Sequence, residues 1–275
     1  MPDDVKSMPL SGHLEELRAR LLTVVLATGA AFVLCMVFYR DIWQLAMLPR
    51  ERAAIWLGQD ADKVFPLQFM RPLEGLSSAV SIALKAAVGL TFPIILSQIW
   101  LFVAPALTPR EKRLLVLMFG GGGVLFFAGA ALAFLYAAPT RLSYLTQVDA
   151  TLTATMTQWR VDAYLDFVFM TCLGFGLGFE LPLVMAGMAA VGLVTPEGIA
   201  GHWRQAVFAM LVCGALFTPP DPYTMVFLSA CLVALFWLGY ALALLVAGRG
   251  RGEGAPPPEA TLPENPPPDD PDAVF

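Results

Sequence analysis

Apolar residues gather into six runs along the chain, at roughly Leu21–Phe38, Leu76–Val103, Leu114–Ala138, Ala163–Leu193, Ala206–Thr218 and Met225–Ala247. Each reads as a membrane span, because a helix needs about 20 predominantly apolar residues to cross a hydrocarbon core of about 30 Å. The fifth is the exception. As a helix it extends only about 20 Å. It could be re-entrant, buried in protein, or span a locally thinned bilayer. Thinning is preferred here, because the next run then returns the chain to the starting side without strain.

Ahead of the first run lies the one densely charged stretch that abuts a long apolar segment, MPLSGHLEELRARLL at 8–22. Leu10, Leu14, Leu17 and Leu21 recur at helical spacing and form one stripe. Ser11 is placed to cap the helix. Glu16 and Arg20 form an i,i+4 pair in the favourable order. The stretch 8–22 is therefore expected to form an amphipathic helix, with 1–20 as a cytoplasmic N-terminal segment. It either lies at the headgroups or presents a carboxylate at the membrane edge to a cationic partner. A guanidinium suits that carboxylate through paired, charge-assisted hydrogen bonds.

Between the runs, two pieces are large enough to cap one face of a bundle: 39–75, with Trp43 and Trp56 as interfacial anchors, and the threonine-rich 139–162. From Gly248 onward, prolines and acids with few large apolar residues predict a disordered tail. The expected organisation is thus 1–20, a membrane domain 21–247, and a tail 248–275.

Composition agrees: 57% of residues are hydrophobic and only 14% charged, which excludes an ordinary soluble domain. The basic residues set the orientation. With the N-terminus inside, the loop carrying Arg110, Lys112 and Arg113 and the flank carrying Arg18 and Arg20 are cytoplasmic, and short segments at span ends count most. Both termini are expected inside. The four cysteines sit in apolar runs as packing residues, and the two histidines are far apart, so no metal site is predicted. The first apolar run starts too late and runs too long for a cleavable signal peptide.

Candidate chemistry is sparse. Glu180, in GFGLGFELPLV, lies deep in the fourth run, and a carboxylate there costs a few kcal/mol unless protonated or paired. It is either functional or an acid hydrogen-bonded between helices. Pro182 frees the carbonyl near Gly178 and predicts a kink. Lys85, in the second run, either snorkels or pairs with a carboxylate, for which Glu180 is one candidate at a somewhat different depth. Glu111, among Arg110, Lys112 and Arg113, reads first as a solvated loop face. Asp221 reads first as a cap for the sixth run. The glycines at 120–123 and at 174, 176 and 178 lie inside spans, without the strand–turn–helix context of a nucleotide loop. They are read as close-packing positions. No catalytic constellation is present.

Taken together, HLEELRARLL, PIILSQIWLFVAPALTPREKR, FGLGFELP, GLVTPE and TPPD fall in one order across residues 8–247 and resemble the TatC family, the polytopic subunit of the twin-arginine protein translocase. The resemblance implies an all-α fold of six spans, N-in and C-in, with short fifth and sixth spans in a glove-like bundle in the bacterial inner membrane. It implies a non-enzymatic receptor without cofactors. Its partners would be Arg-Arg signal peptides of folded cargo, TatA- and TatB-type single-span proteins and further copies of itself, but no nucleic acid. Transport would draw on the proton-motive force. Glu16 and Glu111 match the recognition glutamates, Leu17, Arg18, Gln98 and Phe102 the surrounding motif, and Pro49, Glu180 and Asp221 other positions of the pattern. The sequence departs from the pattern at Ser81, where the family has a lysine. Lys85 lies one helical turn further along the same face. The loop GHWRQ also carries fewer basic residues than the family's. A proton-coupled transporter using Glu180 is the alternative, although no convincing internal repeat supports it.

Overall fold

A computed structural model describes residues 10–103, 109–152, 158–190, 192–217 and 222–251. They form eleven α-helices and one two-residue strand pair. The first helix, α1 (Leu10–Val37), joins the charged segment and the first span without a break, so the expected separate amphipathic helix is the first turns of a single helix. Ser11 lies inside it rather than at its cap. Leu14, Leu17 and Leu21 remain exposed on its surface. We call the end of the bundle where α1 begins the N-terminal face, and the opposite end the distal face.

The distal piece 39–75 is largely helical rather than an open loop. It contains α2 (Tyr39–Trp56), the short α3 (Ala61–Val64) and β1 (Leu67–Gln68). Asp60 caps α3 by accepting from the Asp62 amide at 3.1 Å. The long α4 (Glu74–Val103) then returns to the N-terminal face against α1, and Cys35 packs with Ala83 and Ala87 between them.

The third span is α5 (Pro109–Leu132), a π-helical turn (Ala133–Ala137) and α6 (Ala138–Leu152). The turn has a cause. Pro139 has no N–H to give the Leu135 carbonyl. Arg52 of α2 donates to that carbonyl instead, at 3.5 Å. This third helix rises well past the expected end of the span. Its distal part packs with α2, and β2 (Trp159–Arg160) pairs parallel with β1. The core of this cap holds Phe65, Leu142, Val161 and Tyr164, and the Tyr164 hydroxyl donates to the Ala46 carbonyl at 2.7 Å.

The fourth span is α7 (Val161–Phe179) and α8 (Leu181–Ala190), broken at Glu180 as the proline two residues on predicts. Gly192, at φ 72°, ends α8: the Leu193 amide bonds back to the Met188 carbonyl at 3.0 Å. Thr195 then caps α9 (Pro196–Gly201) by accepting from the Gly198 amide at 3.2 Å, with Pro196 at its first position. These three residues explain the GLVTPE block physically. Helix α10 (Trp203–Phe217) is the short fifth element, and α11 (Pro222–Arg251) packs along α8 and α10.

Five apolar stretches among the described residues are long enough to cross a membrane; α10, at 15 residues, is not one of them. The stretch in α11, Met225–Leu245, has 21 residues against 28 or 29 for those in α4, α5–α6 and α7–α8, although the helix carrying it is longer. Gly176 acts as the sequence predicts, and Gly129, which the sequence reading did not single out, does the same. A methyl group at Gly129 would lie 2.6 Å from the Phe175 carbonyl oxygen, and one at Gly176 would lie 2.5 Å from the Phe126 ring. Helices α5 and α7 meet almost backbone to backbone there.

Candidate functional site

The N-terminal face is assembled by register. Thr28 of α1 and Thr91 of α4 share a hydroxyl–hydroxyl bond of 3.1 Å. The two helices run in opposite directions. Counting toward the N-terminal face at about 1.5 Å per residue, Glu16 lies about 18 Å from this bond and Phe102 about 17 Å. The two residues are therefore level. Gln98 is one turn deeper on α4, half-buried as Phe102 is. Glu111 belongs to the first turn of α5, whose backbone starts at the same face. Leu17 and Arg18 are exposed beside Glu16.

Glu16 is half-buried and already engaged. Arg20, one turn on, donates from Nε at 3.1 Å and from its terminal nitrogen to the same carboxylate oxygen. The other oxygen has no hydrogen bond among the described residues. The side chain can thus hold a guanidinium, and half of its accepting capacity is open.

Glu180 lies deeper, between α5 and α4, and is only 4% exposed. Neither carboxylate oxygen finds a hydrogen-bond partner among the described residues. Gly122 of α5 makes room for it. A methyl group there would lie 3.1 and 3.3 Å from the two oxygens and 2.7 Å from Leu96 of α4. Pro182, also buried, packs under Gly239 of α11, where a methyl group would meet the Pro182 Cα at 2.9 Å.

Lys85 does not reach Glu180. It forms an ion pair with Asp166 of α7, a residue that the sequence reading did not single out. Depth explains the choice. Asp166 is about 8 Å from the distal start of α7 and Lys85 about 16 Å from that of α4, so the lysine stem extends outward to the carboxylate. Glu180 lies about 28 Å down the same helix as Asp166. The signal for Asp166 was present in YLDFVF, as an acid inside an apolar run at the depth a snorkelling lysine reaches. Ser81 is half-buried one turn nearer the distal face. Pro49 is buried inside α2 in the distal cap, away from Glu16. Asp221 lies outside the described residues. Glu16, Gln98, Phe102 and the backbone of Glu111 therefore lie toward one end, Glu180 lies deeper beside Gly122 and Leu96, and Lys85 and Pro49 lie toward the other end.

Comparison with known proteins matches this architecture. The sequence profile of the family described as "Sec-independent protein translocase protein (TatC)" matches residues 12–231. The chain is 31% identical over 239 residues to the TatC protein of Helicobacter pylori (strain J99), covering 86% of this chain and 89% of that one. It is 32% identical over 247 residues to that of Synechocystis, covering 90% and 91%. A crystal structure described as the twin arginine translocase receptor TatC superposes with a TM-score of 0.71 at 28% identity, covering 85% of this chain and 99% of that one. With its apolar helices, its register and these matches, the chain belongs to the TatC family: it is a multi-pass membrane protein and a component of the twin-arginine protein translocase.

Proposed function

We propose that this chain is the signal-peptide receptor of its translocase, with Glu16 and Glu111 as the carboxylates that take the two arginines. The observation that carries the reading is the level placement of Glu16 and Phe102, fixed by the Thr28–Thr91 contact, with the first turn of α5 at the same end. Two carboxylates on separate elements suit two guanidinium groups, each of which donates a forked pair of hydrogen bonds that an ammonium does not reproduce. Exposed Leu14, Leu17 and Leu21 offer the apolar part of a signal peptide a surface beside the acids. This face is cytoplasmic, with both termini inside, as the basic flanks of α1 and α5 support. The bound receptor gathers TatA- and TatB-type single-span proteins and further copies of itself. Folded cargo then crosses the inner membrane at the expense of the proton-motive force. Glu180 and Asp221 belong to that later stage rather than to recognition, because Glu180 is buried between α5 and α4 rather than exposed at the recognition face. The protein has no catalytic role in this scheme.

The test is site-specific photocrosslinking from positions beside Glu16 and Glu111 to a precursor with an Arg-Arg signal and to its Lys-Lys counterpart. Crosslinks that form with the first and fade with the second are expected. Equal crosslinking to both, in a correctly inserted protein, removes the direct-contact reading.

A further inference from the structure

At the distal end of the α1–α4 pair, a cavity of about 360 Å³ opens between the start of α2 and the start of α4. Its walls are aromatic: Tyr39, Trp43 and Phe69, the last two stacked with centroids 6.5 Å apart. Its floor is Gly75 and Ala79 on α4. Its polar lining is Arg40 and Gln44. Arg40 is exposed, and no carboxylate lies within ion-pair distance of it among the described residues. Asp41 is exposed on the next position around α2 and does not line the cavity.

Its level in the membrane is independently marked. The apolar stretch of α1 ends at Val37 and that of α4 begins at Glu74, so the cavity stands where two spans leave the hydrocarbon. In the segment that supplies Phe69 and Gly75 to the cavity, Phe69, Met70, Leu73 and Leu76 are all more than half exposed. Leu73 holds a left-handed backbone, φ 68°, with its side chain 78% exposed. A strained apolar residue facing water would be unfavourable twice over; facing lipid, its exposure becomes a gain. Aromatic rings beside a cation at this depth are the chemistry of a headgroup site.

We infer that this cavity is a binding site for an anionic glycerophospholipid of the leaflet at the distal face. The phosphate sits on Arg40, the headgroup beside Gln44, and an acyl chain lies over Gly75 and Ala79 between the aromatic walls. A net negative lipid is favoured over a zwitterionic one, because a choline would bring a second cation toward Arg40.

The experiment uses the full-length chain purified in detergent, with dioleoyl-phosphatidylglycerol or dioleoyl-phosphatidylcholine added, and reads retained lipid by native mass spectrometry. The wild type is expected to retain phosphatidylglycerol several-fold more than phosphatidylcholine. Arg40→Gln should erase that preference, while Arg71→Gln, which removes an exposed cation outside the cavity, should preserve it. Gly75→Phe, at a position where a Cβ meets nothing within 4 Å, should lower retention of both lipids. Equal retention of the two lipids by the wild type, or a preference that survives Arg40→Gln, overturns the proposal. So does a loss of preference as large in Arg71→Gln as in Arg40→Gln, which would mean unspecific attraction. A crosslink from position 43 that reaches only a membrane protein, and never lipid, would assign the cavity to a helix instead.

Discussion

At the scale of single residues, the carboxylates divide by what surrounds them. Glu16 is half-buried and holds Arg20 through one oxygen, while the other has no hydrogen bond among the described residues. A charge-assisted bond of this kind is worth about 1.5–3 kcal/mol, or about ten- to a hundredfold in affinity. Glu16→Gln and Glu111→Gln are each expected to weaken binding of a fluorescent Arg-Arg signal peptide by at least about tenfold, read by anisotropy. A pair of variants that binds as the wild type does would end the receptor reading. Glu180 is the opposite case, a buried carboxyl with no hydrogen-bond partner among the described residues. Replacing such a group with an apolar one of similar size removes a desolvation cost of about 1–3 kcal/mol. Glu180→Leu is therefore expected to raise the thermal midpoint while leaving signal-peptide affinity unchanged. A lowered midpoint would show that the carboxyl is stabilising after all.

At the scale of elements, close approach and breaks decide how the helices stack. Gly129 and Gly176 let α5 and α7 meet, and the methyl group of Gly129→Ala would face a carbonyl oxygen at 2.6 Å and the Phe179 ring at 2.7 Å. Overpacking of this kind costs about 1–3 kcal/mol. Circular dichroism melts of Gly129→Ala should show that loss, and an unchanged melt would mean that the helices separate freely. The Lys85–Asp166 pair joins α4 to α7 with the carboxylate 61% exposed. Both groups lie within stretches that cross the membrane, where polar contacts between helices contribute about 0.6 kcal/mol and at most about 1.7. A double-mutant cycle with Lys85→Met and Asp166→Asn should give a coupling within that limit, and the swapped pair Lys85→Asp with Asp166→Lys should fold. The sequence made Gly176 and Pro182 legible because their effects are local to one backbone. It pointed Lys85 toward Glu180 only because pairing across helices depends on depth and rotation, which spacing along one helix does not supply.

At the scale of the whole molecule, helix lengths set how the protein sits in lipid. Helix α10 spans 15 residues, about 22 Å, against a hydrocarbon core of about 30 Å. A bilayer matched to α10 should cost less deformation. In nanodiscs, the thermal midpoint is expected to be higher with dimyristoyl lipids than with dieicosenoyl lipids. The reverse order would place α10 inside the protein or re-entrant rather than across a thinned bilayer.

The sequence by itself determined the membrane class, the helical content and the break at Glu180. Hydrophobic run length and proline chemistry act residue by residue, so these are written in one dimension. It also determined that Glu16 pairs with Arg20, since four residues of helix suffice to bring them together. Only the tertiary structure decided that α1 is one continuous helix and that the distal segment 39–75 folds into α2, α3 and β1. It alone paired Lys85 with Asp166 and left Glu180 without a hydrogen-bond partner beside Gly122. It also decided that Glu16 and Phe102, 86 positions apart in the chain, stand level at one face. Each of those outcomes depends on the register between helices. That register is set by the few contacts at which two backbones meet, and no run of residues along one of them contains it.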